Sequence, residues 1–557
     1  MFVLNRNGNS MIHFHISCSN PASQFANIQL ELDIPDSNPL QLQLPAWRAG
    51  RYQLVNYAQN IRGFKAFDSS GEKVGFKKVS KDLWEIENKG TISIQYEYWA
   101  GKMDAGNSWI DEEQVYLNLV NCCFEILDHT EEEIILSLDL PDYPDQISTL
   151  IKLSTGIWKA NSFQQLADST ILASKSLVHW DYSSSNTLFH IWIQGTVHFD
   201  QNVFLENFRH FTDKLILDFG EFPEEEYHFI FQLLPYQYYH GVEHRRGTVI
   251  TFGPAESLTD PSPMEELLGV SCHELYHAWN VCRIRPKELL PYDFSKETYT
   301  RAGLILEGIT TYMGDLYLLK SGVYSLSTYL GHLEKVIQRE MNSFGWKNQS
   351  ISESSFDLWL DGYVPGIPDK KVNIYTRGAI LAMGLDAVLI QTGSSLAQVM
   401  KRMWELFGKP NLGYSMEDFQ AILSEETGNQ ELILEFFKKY IYGHEDYFPE
   451  YQKHMKYLGI AWAEIFEDSL LLHEFGVRTN DQNQILQIHP EAPAYKTLMK
   501  GDEILEENLG TFREATLKIN RQGREMSIPL QQSDRLFFPK IQLSCPKVLK
   551  STDIWMS

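Results

Sequence analysis

Residues Ser271-Cys272-His273-Glu274-Leu275-Tyr276-His277-Ala278-Trp279-Asn280 contain the pattern His-Glu-x-x-His. On a helix, positions i and i+4 stack one turn apart on one face, so His273 and His277 can aim two imidazole nitrogens at one cation. Glu274 then lies beside that cation, where it can take a proton from water without being a ligand. The flanks read as a helix that begins at Pro261, Ser262 and Pro263, carries Glu265 and Glu266 in its first turn, and is stopped by Pro286. A catalytic zinc usually has three protein ligands and an open position for water. Glu307 is the candidate for the third. It interrupts the apolar run Leu304-Ile305-Leu306-Glu307-Gly308-Ile309, and a carboxylate buried in such a segment is costly unless it is paired or binds a metal.

Upstream of this helical block the periodicity is different. From Met11 to about Asp200 the chain runs in short alternating or β-branched stretches, among them IQLELDI, LQLQLP, ISIQYEYWA, EIILSLDLP and HIWIQGTVHF, and period two over many short runs predicts a β-sandwich. Around Val203–Phe219 the period becomes about 3.6, and two strands follow, YHFIFQLLP and GTVITFGP. From Pro261 to about Gly443 nearly everything reads helical, with breaks at Pro286, Pro291, Gly322 and near Gly362–Pro368. Beyond Tyr457 short strands return around the helix-like APAYKTLMKGDEIL. The expected class is multidomain α+β: a β-sandwich over residues 11–200, a catalytic domain over 201–450 that is largely helical after a small sheet, and a small module over 457–540. Residues 1–10 are expected to be an extension with no fold of their own.

The 557 residues carry 48 Lys+Arg against 73 Asp+Glu, a net charge of −25, which excludes a general nucleic-acid binder and favours cationic groups such as protonated amines. No window offers the ~18 uninterrupted apolar residues of a membrane span, and the start lacks the pattern of a secretion signal. Six cysteines without a CxxC pair suit a reducing compartment, so the expectation is a cytoplasmic protein with no membrane insertion and no nucleic-acid partner.

The segment His273–Asn280, followed by Arg283-Ile284-Arg285-Pro286 and then by Leu306-Glu307-Gly308 with Thr310 and Tyr312, resembles the gluzincin metallopeptidases of the glycyl-aminopeptidase type, which carry a C-terminal PDZ domain. The resemblance covers nearly the whole chain. Leu44-Pro45-Ala46-Trp47-Arg48-Ala49-Gly50-Arg51-Tyr52 is similar to the family's N-terminal β-domain signature, with Ala49 where the family usually has Pro. Gly241-Val242-Glu243-His244 resembles its strand motif, with His240 in place of the first glycine, and Tyr375-Thr376-Arg377-Gly378 resembles its Tyr-x-Lys-Gly segment, with Arg for Lys.

The resemblance implies a thermolysin-like catalytic domain and one catalytic Zn2+ held by His273, His277 and Glu307. It implies Glu274 as the base and Tyr375 as a donor to the developing oxyanion. Glu243 is the implied carboxylate for a free α-ammonium, with His244 beside it in substrate binding. The activity implied is an aminopeptidase acting on peptides with a free N-terminus, preferring small residues, Gly or Ala. A zinc endopeptidase would not need Glu243, and a peptide-binding PDZ scaffold with an inactive peptidase domain is the reading from another class. Asn280, Arg283 and Arg285 either line the cleft or support the ligand helix. Thr311 stands where thermolysin-like enzymes have an Asp. At the C-terminus, Ala492-Pro493-Ala494-Tyr495 and Leu498–Asp502 match the helix-to-strand passage of a PDZ domain, and PDZ domains take peptide ends as an added strand.

Overall fold

Side chains of a β-strand point alternately to its two faces. In the strand Met11–Ser17, Ile12, Phe14 and Ile16 are buried while His13 and His15 lie on the other face. The structure is a computed structural model that describes residues 11–33, 39–87, 90–509 and 515–557, so the expected extension over 1–10 lies outside the described residues. Met11–Ser17 pairs antiparallel with Phe25–Asp33 and parallel with Ile134–Asp139, within a seven-stranded sheet. Two four-stranded sheets complete the N-terminal β-rich domain, one containing Leu40–Gln43 and Leu83–Ile86, the other Gln114–Asn118 and Thr170–Ser174.

Strands Val178–Ser184 and Thr187–Gln194, expected in the N-terminal sandwich, belong elsewhere. They form one five-stranded sheet with Glu226–Leu233, Gly247–Gly253 and the edge strand Tyr238–His244. Thr187–Gln194 and Glu226–Leu233 are parallel, and the helix Gln201–Phe219 makes the crossover that a parallel pair requires. Alternation along one strand shows that it is half-buried but not which sheet receives it, so the sequence boundary near residue 200 falls inside this unit. The helix is capped by the Asp200 carboxylate, which accepts from the Asn202 and Val203 amides, and ends at Gly220, whose φ of 94° suits glycine.

The catalytic domain continues as helices, including Pro261–Tyr276, Thr310–Lys320, Leu326–Met341 and Thr376–Thr392. Every residue from Thr376 to Ile390 is buried, so this apolar helix is the axis of the domain core. Among the described residues no single helix is long and apolar enough to cross a membrane. The six cysteines are all free.

Residues beyond Ala461 build a smaller β unit with its own core, among them Leu471, Val477, Ile485, Leu498, Ile504, Leu517 and Ile519. Arg521 donates to both oxygens of Asp502 at 2.8 and 2.7 Å and ties the Gly501-Asp502 turn to the hairpin Ala515–Leu530. The expected helix at Ala492–Tyr495 is only a 3-10 turn, Pro493–Lys496. The chain end then returns to the helical core: in the helix Lys550–Met556, Trp555 Nε1 donates to Tyr312 Oη at 2.8 Å, and that phenol donates to Asp386 at 2.6 Å.

Candidate metal and peptide site

Pro261 opens the helix Pro261–Tyr276, and its buried residues Leu267, Leu268, Val270, Cys272 and Leu275 fix its rotation, which brings His273 and Glu274 to the last turn. The helix stops at Tyr276 rather than at Pro286. His277 keeps helical dihedrals, φ −62° and ψ −19°, so the i,i+4 relation survives and the two Nε2 atoms lie 3.1 Å apart. After it the chain winds through turns, because its side chains are claimed from outside the helix. Trp279 stacks on Phe219 with ring centroids 4.5 Å apart, and the Asn280 carboxamide donates to Ile305 O at 2.7 Å and to Thr310 Oγ1 at 3.0 Å.

Glu307 lies in a π-helical turn, Leu304–Ile309, a rare form that recurs at functional sites. One of its oxygens, Oε2, is 3.7 Å from His273 Nε2 and 3.5 Å from His277 Nε2. Asn280 joins the two halves of this cluster. Its carbonyl lies 2.6 Å from His277 Nδ1, fixing the ring, and its side chain holds the Ile305 carbonyl of the Glu307 turn. Gly308 and Gly378 bring the turn and the helix Thr376–Thr392 together, since a Cβ on either would lie 2.5 Å from the other's Cα.

The donors fit a transition metal. His273, His277 and Glu307 each present one ligand atom, all within 4.8 Å of one another, and among the described residues the buried Glu307 Oε2 has no hydrogen-bond partner. Two imidazoles and a carboxylate suit zinc-like ions better than magnesium or calcium. Burial alone would raise the Glu307 carboxyl, but the imidazoles of His273 and His277 outweigh it and hold it below the usual range.

Glu274 is buried with Oε2 unpartnered, and burial raises its pKa, opposed by His277 and reinforced by Glu243 and Glu307. It presses on the edge strand where Gly241 stands: a Cβ there would lie 2.2 Å from Glu274 Oε1. Strand alternation puts Glu243 on the same face as Gly241. Glu243 is buried too, its Oε1 unpartnered, and it rests against Gly50, where a Cβ would come within 2.1 Å of that oxygen and where φ is +74°. Glu243 therefore makes no ion pair with Arg245 or Arg246, which bind Glu224 and Glu226. His244 points to the opposite face, with Nδ1 3.0 Å from Asp168 O, so the structure does not bring it together with Glu243.

Tyr375 stands at the N-terminal end of the helix Thr376–Thr392. Burial drives its phenol pKa well up, and Glu307, Tyr363 and Glu243 push it the same way, which places the ring among the site's carboxylates. Arg283 and Arg285 brace the turn after His277 instead: Arg283 pairs with Glu224, and Arg285 lies over the Tyr292 ring at 4.1 Å.

Tyr363 and Tyr52 join the site without having been singled out in the sequence. The Tyr52 amide donates to Tyr363 Oη at 3.3 Å, and Glu307 and Glu243 raise both phenols after burial itself. Tyr52 and Gly50 belong to the Leu44–Tyr52 loop of the N-terminal domain, which docks on the catalytic domain through Ala46 N to Phe294 O, 2.7 Å, and Trp47 Nε1 to Asp293 O, 2.8 Å. The Leu44–Tyr52 resemblance was the available signal, though it named a domain signature and no site role.

Comparison with known proteins follows the same division. Residues 13–175 match the peptidase M61 N-terminal domain, and residues 266–381 match M61 glycyl aminopeptidase. The first match ends where the five-stranded sheet begins. A comparison with curated protein sequences gives no match. Among solved structures, an aminopeptidase N family protein from Idiomarina loihiensis is similar over 98% of this chain and 100% of its own, with 22% identity and a TM-score of 0.89, which shows the same fold. An M1 zinc metallopeptidase from Deinococcus radiodurans has 12% identity and a TM-score of 0.49, covering 79% of this chain and 96% of its own. With both M61 models matched, together over half of its length, the chain belongs to the M61 glycyl aminopeptidase family and is a peptidase.

Proposed function

We propose that the protein is a zinc-dependent aminopeptidase with a thermolysin-like catalytic domain, in which His273, His277 and Glu307 hold one Zn2+. The observation that carries this reading is the convergence of those three donors beside buried, unpartnered carboxylate oxygens of Glu274, Glu243 and Glu307. Bound zinc would polarise the scissile carbonyl and acidify the attacking water. Glu274 takes the proton from that water and hands it to the leaving amine, a role suited to a carboxylate whose pKa burial has raised. The edge strand Tyr238–His244 aligns the substrate backbone, while Tyr52 and Tyr363 limit the room beside Glu243 and favour Gly or Ala at the N-terminus. We place His244 as a support that fixes this strand to Asp168 rather than as a substrate contact.

The C-terminal unit is proposed as a PDZ-like domain, supported by Gly476 at φ +66° and by the turn Pro493–Lys496 leading to the strand Glu503–Asn508. The test of the whole reading is metal analysis combined with hydrolysis of free and N-acetylated aminoacyl peptides. Cleavage of acetylated peptides at full rate would replace it by the endopeptidase.

Two substitutions probe the substrate side. Glu243→Gln removes the charge that pairs with an α-ammonium and should cost ~1.5–3 kcal/mol, roughly 10- to 150-fold in kcat/KM, on free peptides only. If the preference for free N-termini is unchanged, the amine is held elsewhere. Tyr375→Phe should retain the metal and leave KM nearly constant while kcat falls about 10²–10³, the loss of one oxyanion donor. A kcat within a few-fold of wild type, with only the melting temperature altered, would make Tyr375 a packing residue.

A further inference from the structure

The outer face of the seven-stranded N-terminal sheet carries a second set of convergent donors. Alternation places His13 and His15 side by side on that face, their ring centroids 3.7 Å apart. The antiparallel register sets Glu31 directly opposite His13 and Gln29 opposite His15, and the parallel register sets Ser137 beside His15. His15 Nε2 lies 3.5 Å from Glu31 Oε2. The ligand atoms of His13, His15 and Glu31 all fall within 4.8 Å of one another.

Neighbouring side chains already hydrogen-bond parts of this set. Ser137 Oγ lies 2.6 Å from His15 Nδ1 and 3.1 Å from His13 Nε2, and Gln29 Nε2 donates to Glu31 Oε1 at 3.0 Å. Hydrogen bonds of this kind to the far nitrogen of an imidazole and to the second carboxylate oxygen are what orient the ligands of a metal. Among the described residues no lysine or arginine forms an ion pair with Glu31.

A similar cluster on the five-stranded sheet shows what disqualifies such a set. His190, His228 and Glu226 also lie close together, but Glu226 is paired with Arg246 at 3.5 Å. A guanidinium there occupies the place a second cation would need. Among the described residues the His13 cluster has no such guanidinium or ammonium partner.

We propose that His13, His15 and Glu31 form a second metal site, separate from His273, His277 and Glu307, that takes a divalent transition ion of the zinc class. Two imidazoles and one carboxylate are borderline donors that suit Zn2+, Cu2+ or Ni2+ rather than Mg2+ or Ca2+. Three protein ligands leave a coordination position for water. His15, Glu31 and Ser137 border a groove of about 650 Å³ across the sheet, through which the ion and its water would enter. Such an ion joins the strand Met11–Ser17 to Phe25–Asp33 and so stabilises the N-terminal domain, with no part in hydrolysis.

The test uses untagged full-length protein, stripped with chelator and titrated with Zn2+ by calorimetry, with metal content measured after dialysis. Wild type should bind two equivalents. His15→Ala and Glu31→Gln should each bind one, with peptidase activity unchanged, and zinc should no longer raise their melting temperature beyond the contribution of the catalytic ion. His277→Ala should still bind one equivalent, which the further change His15→Ala removes. Ser137→Ala, which removes only a supporting hydroxyl, should weaken the second equivalent about tenfold. With Cu2+ on the His277→Ala variant, electron paramagnetic resonance should show two nitrogen ligands. Two equivalents retained by both His15→Ala and Glu31→Gln, no ion bound by His277→Ala, or binding seen only at millimolar zinc would each overturn the site. Failure of the catalytic site alone would appear as a wild type that binds one equivalent, lost in His15→Ala but kept in His277→Ala.

Discussion

Glu274→Gln is expected to leave the metal content unchanged and to lower kcat by about 10²–10⁴ or more. The amide has the size of the carboxylate, so the contact with Gly241 is preserved. What disappears is the capacity to accept a proton. Because the native carboxylate is buried, without a partner on one oxygen and repelled by Glu243 and Glu307, its neutral replacement should keep or raise the melting temperature. A fall in rate together with a stable, metal-loaded protein separates a chemical role from a structural one. Near wild-type turnover would remove Glu274 from the reaction.

His277→Ala has the other large expected effect. It deletes one of the three proposed metal donors and also the ring that contacts Asn280 O at 2.6 Å, so zinc affinity should drop by more than the ~10–100-fold typical of lost supporting contacts, and activity should vanish with it. Metal analysis of the dialysed protein and residual hydrolysis at saturating zinc check this. An alanine variant with intact activity would refute the ligand set.

Different parts of this site were legible to different degrees because they depend on interactions of different range. His273, Glu274 and His277 needed only the helical period, and Glu307 needed only the cost of a carboxylate in an apolar run. The π-turn around Glu307 and the end of the ligand helix at Tyr276 were not legible, since they follow from Asn280 reaching Ile305 and Thr310 and from Trp279 stacking on Phe219. Gly241, Glu243, Tyr375 and the Gly308–Gly378 contact entered the sequence reading through resemblance or not at all. Their meaning lies in approaches between segments far apart in the chain. The same holds for the strand Thr187–Gln194, part of which was read as an alternating run but whose sheet was decided by the parallel partner Glu226–Leu233. At the C-terminus, the 3-10 turn Pro493–Lys496 replaced an expected helix, and nothing in the pattern announced that Trp555 would return to Tyr312.

The docking of the Leu44–Tyr52 loop has a consequence for how such a peptidase can be cut, fused or recombined. Gly50 closes on Glu243 and Tyr52 meets Tyr363, so one wall of the chamber is encoded almost two hundred residues before the edge strand that it completes. A helical half excised with His273, His277 and Glu307 intact would keep the candidate metal cluster yet lose the Gly50 backbone that lies against the Glu243 carboxylate. The β-rich half and the helical half of this chain are therefore built against each other at the candidate site, and exchanging the β-rich half would remove the residues that close on Glu243.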